Sequence, residues 1–192
     1  MEAFSSKIFL IVFAFSFITY SIQANESNIL FIRSSCSSTT YPRLCYTSLV
    51  KYADSIQTNR LRLTNTALNV TLASAKSTSV SMSTIAKIHG LNPKEVAAMK
   101  DCVEVLSESV DELRRSINEI GHLSTSNFEL TMSDLQTWVS AALTDENTCT
   151  EGFQEINATG NIKTIVRGKI VQVAQLTSNA LALINKLATS HP

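Results

Sequence analysis

The sequence predicts an all-α fold, an antiparallel up-down-up-down four-helix bundle preceded by an N-terminal helical hairpin and closed by two disulfides. Apolar residues recur at helical spacing over long stretches, most regularly at Met99, Val103, Leu106, Val110, Leu113, Ile117 and Ile120, where steps of four and three alternate. The 192 residues include only 5 Gly and 3 Pro, too few to interrupt long helices. All 4 cysteines (Cys36, Cys45, Cys102 and Cys149) lie beyond an N-terminal stretch that resembles an export signal. An even count in an exported chain indicates bridges rather than free thiols.

That stretch is residues 1–24. Lys7 gives a weakly positive start, the run from Ile8 to Ile18 is almost wholly apolar, and Ala24 is a small residue at a plausible cleavage point. The run is short of the roughly 20 residues a membrane span needs. The mature chain, 25–192, is expected to be one domain. Asn25-Glu26-Ser27, Asn69-Val70-Thr71 and Asn157-Ala158-Thr159 match the acceptor pattern for N-glycosylation, making Asn25, Asn69 and Asn157 candidate sites. Five of the 8 Phe residues fall in the leader, so the core must be built from Leu, Ile, Val, Ala and Met. With 16 basic and 16 acidic residues, there is no electrostatic case for nucleic acid or an anionic membrane as a partner.

The elements follow in order. Residues 28–56 form a helical hairpin turned at Ser37 to Pro42, and residues 59–189 form the bundle. Its first helix runs from about Asn59 to His89, with Leu68, Leu72, Ala75, Met82 and Ala86 inward and Gly90 as its stop. The second begins at Asn92-Pro93, an N-cap followed by a proline suited to the first turn, and ends at Gly121. The third follows the polar break Ser124-Thr125-Ser126, with Ser133 as its cap and Leu135, Val139, Ala142, Cys149 and Phe153 as its inner face. The fourth starts after Gly160-Asn161 and carries Ile162, Val166, Ile170, Val173, Thr177, Ala180, Ile184 and Leu187 inward. Short connections make consecutive helices antiparallel. On this layout, pairing Cys36 with Cys45 and Cys102 with Cys149 closes the hairpin on itself and crosslinks adjacent helices. Neither of the other connectivities does so. The longer loop would contribute roughly 4 kcal/mol and the shorter about 3.

Constellations for catalysis are missing from the sequence. His89 and His122 adjoin glycines at expected helix ends and suit capping, and His191 stands near the chain terminus. No His pair has zinc-ligand spacing, no Cys-x-x-Cys occurs, and there is neither a nucleophile elbow nor a phosphate-binding glycine loop. No catalytic residue, metal or cofactor is expected. Trp138, beside Val139, is expected in the core. One polar stripe stands out on the second bundle helix, where Glu104, Glu108, Asp111 and Arg115 recur opposite the apolar seam. The inferred bridge would lay Thr144, Asp145, Thr148 and Glu151 of the third helix alongside. The result is either an ordinary solvated face or a contiguous acidic, hydroxyl-rich binding surface.

The segment from Leu135 to Phe153, LQTWVSAALTDENTCTEGF, resembles the plant invertase and pectin methylesterase inhibitor family, as do Cys36-x8-Cys45 with Tyr41-Pro42 inside it and the closing Asn179 to Ile184 stretch. The resemblance covers essentially all of residues 28–189. It implies a four-helix bundle with a hairpin, disulfides in consecutive pairs, secretion to the plant cell wall, and reversible one-to-one inhibition of an enzyme. In that mode, bundle helices lie across the enzyme's cleft and exclude its substrate. Invertase inhibitors of this type carry Pro-Lys-Phe ahead of the fourth cysteine, whereas Phe128 to Trp138 contains no proline here. The expected partner is therefore plant pectin methylesterase. Glu104, Glu108, Asp111, Thr144, Thr148 and Glu151 are the candidate contacts, acting by hydrogen bonding and charge pairing. The end at Pro192 favours a free-standing inhibitor over an enzyme's pro-region. The alternatives are inhibition of acid invertase and a non-inhibitory structural or developmental role in the cell wall.

Overall fold

In the computed structural model, the described residues are 23–87, 91–155 and 161–190, with backbone alone for 155 and 161–163. Nearly all of the expected leader lies outside them, as do His89, Gly90, Asn157, Gly160, His191 and the side chain of Ile162. Helix α1 covers 23–36. It is followed by α2 (Pro42–Leu49), a 3₁₀ turn (Val50–Tyr52) and α3 (Ala53–Ile56). The bundle comprises α4 (Arg60–Ile85), α5 (Pro93–Ile120), α6 (Phe128–Glu155) and α7 (Asn161–Ala188).

Local chemistry sets the helix starts. Asn59 caps α4 by accepting from the Arg62 N–H at 2.9 Å. At α5 a capping box forms, with the Asn92 side chain accepting from the Glu95 N–H and Glu95 accepting from the Asn92 N–H, each at 3.0 Å. Helix α6 corrects one expectation, since it begins at Phe128 and Ser133 is not its cap. Ser133 is exposed within the helix, where its carbonyl accepts from the Thr137 hydroxyl. The turn before α6 is stitched instead by Asn127, whose Oδ1 accepts from the Ser124 N–H at 2.7 Å and whose Nδ2 donates to the His122 carbonyl at 3.1 Å. A side chain serving the preceding turn leaves no signal of the kind an N-cap search detects. Helix α4 also ends earlier than expected, at Ile85.

Each bundle helix packs on its chain neighbours, and α7 closes the ring against α4. The directions follow from pairwise contacts. Rising along α5 through Cys102, Ser109 and Glu119, the partners on α6 descend through Cys149, Glu146 and Thr131. Between α6 and α7, Gln136 meets Asn185 while Glu146 meets Thr177. Both pairs are antiparallel.

The seam of α5 differs from the expected apolar stripe by one residue. Met99, Cys102, Leu106, Ser109, Leu113, Ser116 and Ile120 are at most 3% exposed and keep the three-four alternation, whereas Val103 and Ile117 are half-buried on its flank. Small side chains occupy every second seam position. Helix α4 repeats the pattern with Thr64, Leu68, Thr71, Ala75, Thr78 and Met82, while Leu72 and Ala86 are half-buried. Hydroxyls are tolerated there because they bond to their own helix: Thr64 donates to the Arg60 carbonyl, Thr71 to Ala67 and Ser116 to Glu112. The inner face of α6 holds Leu135, Val139, Ala142, Cys149 and Phe153, all buried, and adds Glu146. Trp138 is half-buried rather than in the core. No helix among the described residues is long and apolar enough to cross a membrane.

The hairpin carries the Cys36–Cys45 disulfide, with the second disulfide joining Cys102 to Cys149. Ile32, Leu49 and Ile56 are buried against the bundle. Its turn is fixed by Asn179 of α7, which is 3% exposed. The Asn179 Oδ1 accepts from the Tyr41 N–H at 2.9 Å, and its Nδ2 donates to the Tyr41 carbonyl at 3.0 Å. Removing this side chain leaves both backbone groups unpaired at a partly dry site. Asn179→Ala should therefore lower unfolding free energy by about 1–3 kcal/mol in urea titrations. Ser178→Ala, which removes an exposed bond to Thr40, should stay within about 0.5 kcal/mol of the parent.

Candidate functional site

All six candidate contacts lie on exposed positions of α5 and α6. At about 100° per residue, Glu104 and Asp111 fall roughly 20° apart, opposite the α5 seam. Glu108 and Glu112 turn away from Asp111 by roughly 60° and 100°. They turn toward α6. The carboxyl of Asp145 is pushed up to about 6, first by partial burial and then by the negative charges of Glu108 and Glu112. The structure thus brings Glu108 together with α6, and the acidic centre is Glu108, Glu112 and Asp145. Asp111 instead pairs with Arg114 on its own helix. Arg115 Nη1 approaches Glu112 Oε1 at 3.8 Å.

Thr144 and Thr148 donate to the Ser140 and Thr144 carbonyls at 3.0 and 2.9 Å, which leaves the lone pairs of both exposed hydroxyls as acceptors. Thr148 also borders a groove of about 250 Å³ between α5 and α6, lined by Ala98, Asp101, Val105, Gly152 and the Cys102–Cys149 bridge. Its depth comes from small side chains. A Cβ added at Gly152 would meet nothing within 4 Å.

Two acids on this pair of helices were not anticipated. Glu112 is half-buried, and its Oε2 has no hydrogen-bond partner. Glu146 is 0% exposed and accepts from the hydroxyls of Ser109 at 2.8 Å and Thr177 at 2.9 Å. The available signal was spacing: the expected inner face stepped seven residues from Ala142 to Cys149, and residue 146 is the missing seam position.

The cysteines are all bridged, and no group of three or more His, Cys, Asp or Glu among the described residues is placed to hold a metal ion. The assembled face is an acid-rich ridge of acceptors on a rigid helix pair. It suits recognition of a partner that presents cations and hydrogen-bond donors.

Against known proteins, the family model described as plant invertase/pectin methylesterase inhibitor matches residues 30–183. The chain is 45% identical over 173 residues to pectinesterase inhibitor 10 of Arabidopsis thaliana, covering 88% of this chain and 55% of that relative's length. It is 41% identical to pectinesterase inhibitor 11 of Arabidopsis thaliana, covering 97% of this chain and all (100%) of the relative. A crystal structure of a mutant form of a pectin methylesterase inhibitor from Arabidopsis superposes with a TM-score of 0.63 at 21% identity, over 78% of this chain and 92% of that one. This likeness concerns the fold.

The acidic centre gives a direct test of its own geometry. Replacing a negative neighbour by a positive one stabilises the charged form of Asp145. Glu108→Lys should therefore lower the Asp145 titration midpoint from about 6 toward the ordinary carboxylate range, as followed by side-chain carboxyl NMR. Glu104→Lys, on the outward face, should move it less.

Proposed function

The chain belongs to the plant invertase/pectin methylesterase inhibitor family, and on that premise we propose that it is a secreted inhibitor of plant pectin methylesterase. The observation that carries the proposal is the end-to-end similarity to a protein named pectinesterase inhibitor. The segment Thr137 to Phe153 adds to it, since it lacks an upstream Pro-Lys-Phe and forms the α6 side of the acidic face.

In this reading, the inhibitor binds one-to-one and reversibly over the enzyme's pectin-binding cleft, using the α5–α6 face. Inhibition is by occupancy, with no chemistry. Glu104, Glu108, Asp111 and Glu151 supply charge pairing, while Thr144 and Thr148 supply hydrogen-bond acceptors. A helix pair already clamped by Cys102–Cys149 loses little freedom on association, so more of the contact energy appears as affinity. Secretion follows from the leader at 1–24, with the mature inhibitor domain at 25–192 and the cell wall as its place of action. Asn25, Asn69 and Asn157 are the proposed glycosylation sites; Asn25 and Asn69 are exposed, and the Asn69 amide donates to the Asn65 carbonyl and Oδ1 within α4.

The proposal is tested with purified mature protein against a plant pectin methylesterase and a plant acid invertase. Pectin demethylation should slow and sucrose hydrolysis should be unaffected. Inhibition of invertase alone would reverse the assignment, and inhibition of neither would indicate the structural role. The face is tested with Glu108→Lys combined with Asp111→Lys. Both residues are exposed and away from the seam, so helicity and thermal unfolding should remain near the parent's. Inhibition should shift several-fold, because charges at an interface act on recognition more than on fold. Unchanged inhibition by this variant would move the contacts to another face.

A further inference from the structure

The bundle core is built from two apolar clusters that meet at a polar layer. On α5, Ser109 separates Leu106 of one cluster from Val110 of the other. On α6, Glu146 separates Cys149 from Ala142, and on α4 Thr78 separates Met82 from Ala75. Among the described residues, Glu146 is the one ionisable group in this layer. Its Oε1 receives hydroxyls from two helices, Ser109 of α5 and Thr177 of α7, while its Oε2 is buried with no partner.

An ionised carboxylate in this position would be isolated. No ion pair among the described residues reaches Glu146. The groups facing it from α5 are Ser109 and, on the rim, the carboxylates Glu108 and Glu112. Of these only Glu112 has a cation near it, Arg115 at 3.8 Å. Its neighbour on α6 is Asp145, and from α7 it meets Thr177, while Lys169, the cation nearest to Thr177 in sequence, is exposed. Helix α4, which packs on α5 and α7, keeps its Lys76 in solvent. A buried anion with like charges around it and no paired cation is strongly disfavoured against its neutral form.

Proton counting points the same way. Three oxygen–oxygen contacts form a chain: Ser109 to Glu146 at 2.8 Å, Glu146 to Thr177 at 2.9 Å, and Thr177 to the Val173 carbonyl at 3.1 Å. The two hydroxyls bring two protons to these three contacts. Both hydroxyls would donate to an ionised Glu146, leaving Val173 without the Thr177 proton. A proton on Oε1 instead reverses the Glu146–Thr177 contact, so that Ser109 donates to Glu146, Glu146 to Thr177, and Thr177 to Val173.

We propose that Glu146 is a neutral carboxylic acid in the folded protein and that its proton acts as a structural ligand, tightening α5, α6 and α7 in acid and loosening them as pH rises. The device is independent of which enzyme is bound. It lies directly beneath the acidic face, and Asp145, one residue away, titrates alongside it.

The expected direction follows from linkage. Burial pushes the Glu146 carboxyl up to about 7 from an ordinary 4.5, so its contribution is full below the unfolded value and is lost as pH rises through the folded one. The experiment is urea unfolding of the free mature protein at pH 5 and pH 8, with Glu146→Gln as the uncharged mimic and Asp145→Asn as the neighbour control. The parent's unfolding constant should rise on the order of 10- to 100-fold between these pH values. Glu146→Gln should remove most of that rise and Asp145→Asn a smaller part. A Glu146→Gln protein that keeps the parent's full pH dependence would overturn the proposal. A second measurement on the parent decides the matter even if the variant does not fold. Side-chain carboxyl NMR should show Glu146 titrating near 7, and a midpoint in the ordinary carboxylate range would refute the neutral acid.

Discussion

The close approach of α5 to α6 governs the rest of the molecule. At Cys102–Cys149 the two Cα atoms lie 4.5 Å apart, near the lower limit for a disulfide. With each Cα about 2.3 Å from its own axis, the axes there are no more than about 9 Å apart, a close-packed but ordinary spacing. Such an approach needs small side chains at the contact, and α5 supplies Cys102, Ser109 and Ser116 at successive heptad positions. The larger residues of the same seam, Met99, Leu106, Leu113 and Ile120, fill the centre of the bundle. Close spacing of the backbones brings Glu108 and Glu112 up to Asp145, and it also allows one carboxyl, Glu146, to reach hydroxyls on both neighbouring helices. Acidic face and polar layer are two results of one close-packed helix pair.

The same constraint explains which parts of the fold were legible in the sequence. Helix number, order and the cap at Asn92 could be read because each rests on local chemistry: periodic apolar residues, a capping side chain, a proline at the first turn. The rotation of α5 about its axis could not. Judged by hydrophobicity, Val103 and Ile117 belong in the seam, and Ser109 and Ser116 in solvent. A short hydroxyl with a partner costs little to bury, Ser116 bonding to the Glu112 carbonyl of its own helix and Ser109 to Glu146 of α6, so volume rather than polarity decided the outcome. Ser133 misled for a related reason, since a serine before an apolar run resembles a cap although Asn127 had already organised the turn.

On the α5–α6 face, charge pattern revealed which residues are exposed but not which ones meet. Glu104, Glu108 and Asp111 form one stripe when written in sequence. In three dimensions Glu108 leans to α6, whereas Asp111 lies on the outward face beside Arg114. Glu146 was invisible to a search for apolar periodicity because glutamate is taken for a surface residue by default. Its position in the heptad was the clue.

The clasp between Asn179 and Tyr41 joins residues 138 positions apart, the beginning of the domain to its final helix. A chain emerging from the ribosome makes the hairpin first and α7 last, so the hairpin can meet α4 early but gains its contacts with α7 only when synthesis is nearly finished. The Cys36–Cys45 bridge spans only 9 positions and can form as soon as the turn appears. It holds the early segment in shape during the wait. Local closure thus bridges a gap in time, and the last helix to be made serves as the latch that completes the domain.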